Sequence, residues 1–199
     1  GFNFFNIQGG GSPQEFASSA LEWFSQQDSV AAALNASSGG FMTGVLRALD
    51  QEDMLYYRGH EDHVLVGAVD GYLSDVAWIE NGYIDFISVQ NAISYGQIMV
   101  DLLDQYAIGE GTRDVTPIGE ELEGIDPNRF YYGAELNESP QIEELEFGPK
   151  YTVPTYIMDE DNIENDMHWP KLARDRLGME SEAAGLEVSP QGTPPNSSN

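Results

Sequence analysis

The sequence predicts an α/β fold, a doubly wound parallel sheet, and three observations predict it. Short apolar runs without strong in/out alternation recur along the first half of the chain, at residues 30–34, 64–69 and 84–89. Between them, apolar residues fall at helical spacing. The runs are followed by polar residues, Ser37 and Ser38 after the first, Asp70 after the second and Gln90 after the third. Strands of that kind alternating with amphipathic helices make βαβ units, whose right-handed crossovers put helices on both faces of a parallel sheet.

The elements follow in order. Residues 2–7 form an aromatic and β-branched run that reads as a strand, ended by three glycines at 9–11. Ser12 and Pro13 open a helix as cap and first position, and Phe16, Ala20, Trp23 and Phe24 lie at i, i+4, i+7 and i+8. Residues 30–34 are a buried strand, followed by a polar loop at 37–40 and a helix with Met42, Val45, Leu46 and Leu49 on one face. A charged connection at 51–62 leads to the clearest strand, 64–69, which ends at Asp70 and Gly71. Leu73, Val76, Ala77 and Ile79 suggest a short helix stopped by Asn81 and Gly82, and a strand at 84–89 is followed by a long helix at 92–107. Residues 109–149 show no period and read as irregular loop. Residues 151–158 read as a last strand, kept at an edge by Pro154. A terminal helix or turn around Trp169 comes next, and the composition from Met179 onward predicts a disordered tail. The expected organisation is a partial lobe at 1–90, a crossover helix and irregular segment at 91–150, a return strand and terminal helix at 151–178, and the tail at 179–199.

Composition narrows the function. Against 34 Asp and Glu there are 8 Lys and Arg, a formal charge of −26. Nucleic acid and anionic membranes are poor partners for such a surface, because phosphate binding needs a basic patch. Self-repulsion of this size is tolerable where salt screens it, the Debye length falling to about 3 Å at 1 M, so a halophilic source is expected. With no cysteine there are no disulfides, thiolate metal sites or cysteine nucleophiles. No run of 18 apolar residues exists to span a membrane. The chain opens within an apparent strand, so a true N-terminus upstream is expected.

In open parallel sheets, ligands sit beyond the carboxyl ends of the strands. Three such ends carry polar residues here: Ser37 and Ser38, Asp70, and Gln90. If the strands are neighbours, the three sets converge on one rim. Asp accepts two hydroxyl protons, Gln gives and accepts, and Ser does either, which suits a ligand bearing several hydroxyls. This order resembles the sugar-binding type I periplasmic family, which shares its fold with the ligand-binding part of LacI-type repressors. The stretches VAAALNASSGGFMTGVLRAL (30–49), HVLVGAVDG (63–71) and IENGYIDFISVQNAISYGQ (79–97) carry the resemblance. It is continuous from about residue 3 to 108 and resumes weakly at 151–165.

The resemblance implies the incomplete C-terminal lobe of a two-lobed receptor, with part of the second lobe, closing on a sugar by hinge motion. Asp70 and Gln90 would bind sugar hydroxyls, Ser37 or Ser38 would stand where an Asn or Asp is usual, and the loop at Gly11 and Ser12 would line the cleft. It further implies a non-enzymatic component of an ABC importer, with a membrane permease as partner. Such a protein is extracytoplasmic, periplasmic or cell-surface, and lipid-anchored in its full-length form. No cofactor is implied. The alternative from another class is the ligand-sensing domain of a LacI-type transcriptional regulator, against which the charge argues.

Other features read as structural. The glycines at 9–11 lack the Lys and Ser/Thr of a phosphate loop. His60 and His63 straddle a loop-to-strand boundary rather than one helix face, so a solvated loop is expected there and no metal site. The acidic run at 159–166 lacks the spacing of a calcium loop. His168 beside Trp169 reads as a packing residue, and no Ser-His-Asp arrangement is legible.

Overall fold

The computed structural model describes residues 5–8, 10–90, 92–104, 141–146, 148–152, 155–165, 168–177 and 186–195. The chain divides into two compact units, one of residues 1–88 with 158–199, the other of residues 89–157. The elements are α1 (Pro13–Phe24), β1 (Ala32–Asn35), α2 (Gly40–Gln51), β2 (Leu65–Asp70), α3 (Leu73–Glu80), β3 (Phe86–Val89), α4 (Ala92–Leu103), β4 (Gln141–Leu145), β5 (Gly148–Thr152), β6 (Tyr156–Asp159) and α5 (Trp169–Leu177). The fold is α/β, with an open, mostly parallel four-stranded sheet in the order β1-β2-β3-β6. β1 and β2 are parallel, with Ala32 beside Leu65 and Asn35 beside Ala68.

The core of the first unit follows from the helical spacing. Met42, Val45, Leu46 and Leu49 of α2 are all buried, each side chain contributing about 1.5–3 kcal/mol by leaving water. α1 packs on α2. Gly44 is what permits that approach, since a Cβ there would lie 2.9 Å from Ala17 Cβ and 3.0 Å from its Cα. α3 is not the one-faced helix expected. Ser74, Asp75, Val76, Ala77, Trp78 and Ile79 are consecutive and all buried, so the helix is enclosed on every side.

Register puts Ala32, Leu34, Leu65 and Gly67 on one face of the sheet, where Phe86 covers Gly67 so closely that a Cβ would meet its ring at 2.5 Å. Leu34 is 69% exposed, so the first apolar run is an outer strand of the sheet rather than a buried one.

Four expectations need correction or division. Residues 5–7 lie outside any strand, and residues 2–4 of that expected strand lie outside the described residues. The expected strand at 151–158 is two strands: β5 pairs with β4 in a separate antiparallel ladder, while β6 joins the main sheet. Residues 141–145 and 148–149, expected in irregular loop, belong to that ladder, with Lys150 3.6 Å from Glu143 across it; residues 105–140 lie outside the described residues.

The fourth concerns the tail. Residues 186–195 dock on the first unit, where Gln191 N donates to Leu55 O at 2.8 Å and Gln191 O accepts from Tyr57 N at 3.0 Å. Ser189 N donates to the Asp50 carboxylate at 3.0 Å. These backbone groups have found partners, and that overrides a composition that reads as disordered.

Candidate functional site

Because β1 and β2 are parallel neighbours in register, their carboxyl ends lie side by side. Ser37, two residues beyond β1, donates its hydroxyl to Asp70 Oδ2 at 2.7 Å, and Asp70 is the last residue of β2. The expected meeting of the two strand ends is therefore present for Ser37 and Asp70. Asp70 has φ +106° and Gly71 has φ +89°. A non-glycine residue held there costs about 1–3 kcal/mol, a strain that persists where surroundings over-determine it and that concentrates at ligand sites.

Ser38 does something else. It is 1% exposed, and its hydroxyl donates to Asp75 Oδ1 in a very short bond while accepting from Gly39 N at 2.6 Å. Asp75, on the first turn of α3 and fully buried, also accepts from Tyr72 N at 2.5 Å. Burial pushes its carboxyl up to about 6, Asp70 adding to the rise while the bonds from Ser38, Tyr72 and Gly39 oppose it.

The Tyr72 ring, half exposed, packs against Gly39, where a Cβ would lie 3.3 Å from it. Gly39 has φ +60°, so its backbone both turns the loop and admits the ring. Asn35, the last residue of β1, has a buried Nδ2 without a hydrogen-bond partner, a donor at the same strand end.

Ser12 is occupied as the cap of α1, accepting from Glu15 N at 3.3 Å and donating to Glu15 Oε2 at 3.1 Å. Its neighbour Pro13 packs beside Gly40, where a Cβ would meet the ring at 3.2 Å, so the start of α1 adjoins the β1–α2 loop. Gln90 follows β3 directly and belongs to the second unit, where its Oε1 accepts from the Tyr95 hydroxyl at 3.1 Å.

The three histidines have separate surroundings. His63 Nδ1 is 2.7 Å from Tyr56 O, and Nε2 is 3.0 and 3.1 Å from the Asp85 carboxylate oxygens. Both partners only accept, so the arrangement favours the doubly protonated imidazolium over the neutral ring. Burial alone would lower its pKa, but the bonds to Asp85 and Tyr56 outweigh that and raise it. His60 stacks on Tyr56 with centroids 4.5 Å apart. His168 is 3% exposed, with Nε2 2.8 Å from Asn162 O.

Asp75 and Tyr72 escaped the sequence reading. An acid at the third helical position that reaches back to the cap amide is a recognisable signal, but it is normally sought behind Ser or Thr, and here a Tyr stands at the cap. No protein-family model matches the chain, and no curated protein matches it either.

Proposed function

We propose that this chain is a lobe of the solute-binding component of an ABC importer, taking a sugar or sugar-like polar ligand between two lobes. One observation carries the reading. A carboxylate and a hydroxyl are joined at the carboxyl ends of two adjacent parallel strands, with the carboxylate on strained backbone. That is the position where open parallel sheets take ligands, and the groups suit a ligand rich in hydroxyls. The family resemblance of residues 30–49, 63–71 and 79–97 points the same way, and it implies Gln90 as a further hydroxyl-binding residue. The proposed location is extracytoplasmic, with a membrane permease as partner. No described helix is long and apolar enough to cross a membrane.

The test uses the polypeptide of the complete reading frame in about 2 M KCl, where charge repulsion is screened. Pentoses, hexoses and disaccharides are screened by thermal shift, with Asp70→Ala as the control. A saturable shift with one sugar class, lost in Asp70→Ala, is expected. No shift with any sugar, or a shift that Asp70→Ala leaves intact, overturns the reading.

A further inference from the structure

Asp75 touches none of the residues expected from sequence except Ser38, yet it ties together the two loops that form the rim. From the β1–α2 loop it receives the Ser38 hydroxyl, and Ser38 in turn receives Gly39 N. From the start of α3 it receives Tyr72 N. These donors flank the contact by which Ser37 holds Asp70, since Ser37 precedes Ser38 and Asp70 lies two residues before Tyr72.

An ionised carboxylate accepts on both oxygens, and bonds to it are charge-assisted, roughly twice as strong as neutral ones, so it holds both loops most firmly while ionised. Its surroundings make ionisation costly. It is fully buried, and the charged group acting on it is Asp70, of its own sign, at the end of β2. From the loop and from α3 it faces a hydroxyl and two amides, which are neutral.

We propose that Asp75 is a positioning residue of the Ser37–Asp70 rim: its ionised carboxylate pins the β1–α2 loop to the start of α3, and neutralising it loosens the rim. When it takes a proton, the Ser38 hydroxyl turns from donor to acceptor, the Tyr72 amide keeps only a neutral acceptor, and both links lose their charge assistance. Because burial places that event near pH 6, well above the ordinary carboxylate range, the rim loosens in mild acid while the chain stays folded. The consequence for ligand affinity rests on the receptor reading, whereas the pinning itself does not.

Amide hydrogen exchange of the whole chain, read residue by residue by NMR and corrected for intrinsic rates, tests the pinning without any ligand. Protection of the Tyr72 and Gly39 amides is expected to fall about tenfold as pH is lowered through 6, as the bonds to Asp75 lose their charge assistance, while Leu46 in α2 is unchanged. Asp75→Asn is expected to show the low protection at every pH. Should that variant not fold, Ser38→Ala reads the same link from the other side, loosening Gly39 while the Tyr72 bond persists. Equal protection of Tyr72 and Gly39 above and below pH 6 in the unmodified chain overturns the proposal. Loss of protection in a protein that takes no sugar would leave the pinning intact and remove only the receptor reading.

Discussion

Replacing Asp70 by glycine and by alanine separates strain from hydrogen bonding at the rim. Both substitutions remove the acceptor of the Ser37 hydroxyl, 2.7 Å away, and share that loss of about 1 kcal/mol. They differ only in the Cβ. At ordinary backbone angles alanine is the more stable by about 0.4–1 kcal/mol, because glycine has more freedom to lose on folding. At φ +106° the Cβ instead crowds the neighbouring carbonyl, a cost of roughly 1–2 kcal/mol. The order should therefore invert, with Asp70→Gly more stable than Asp70→Ala by about 0.5–1.5 kcal/mol. Urea unfolding in molar KCl, followed by tryptophan fluorescence with the m-value held constant, measures the difference. Alanine equal to or better than glycine would refute the claim that Asp70 is held in strained backbone.

Other outcomes follow from the same structure. The His63 pKa is raised in the folded chain, so its stabilising contribution is complete below the unfolded value of about 6.5 and fades as pH rises through the folded value. The stability advantage of the unmodified chain over His63→Gln, measured by urea midpoint, should accordingly be larger at pH 6 than at pH 8.5. Ending the chain at residue 185 removes the bonds of Ser189 and Gln191 to residues 50–57, and should lower Tm by a few degrees, roughly 2–4 °C per kcal/mol lost. With a formal charge of −26, Tm should rise as KCl goes from about 0.1 to 2 M, and an unchanged Tm would contradict the screening argument.

How much was legible in the sequence depended on whether a residue's partner was local. β2 and α2 were readable because the apolar run at 64–69 and the spacing of Met42, Val45, Leu46 and Leu49 encode burial directly. The Ser37–Asp70 contact followed once the two strands were taken as parallel neighbours. Leu34 was misread because an outer strand and a central one can carry the same apolar letters. β4 was hidden by its glutamates, which an exposed ladder tolerates and a buried strand does not. The docking of residues 186–195 depends on backbone groups near Leu55 and Tyr57, far away in sequence and without a side-chain signature. Asp75 was passed over because an acid in an acidic chain looks like surface, and only its full burial sets it apart.

The central claim is that a hydroxyl-rich ligand docks on the Ser37–Asp70 rim. Titrating residues 1–199 with the monosaccharide selected by the thermal screen, and following backbone amides by NMR, tests it most directly. On the proposed receptor reading, in which this chain supplies one of two lobes, weak, millimolar-range binding is predicted, with the largest shifts at Ser37, Ser38, Asp70 and Gly71. Shifts confined to other residues, or micromolar affinity for this chain alone, would contradict the account.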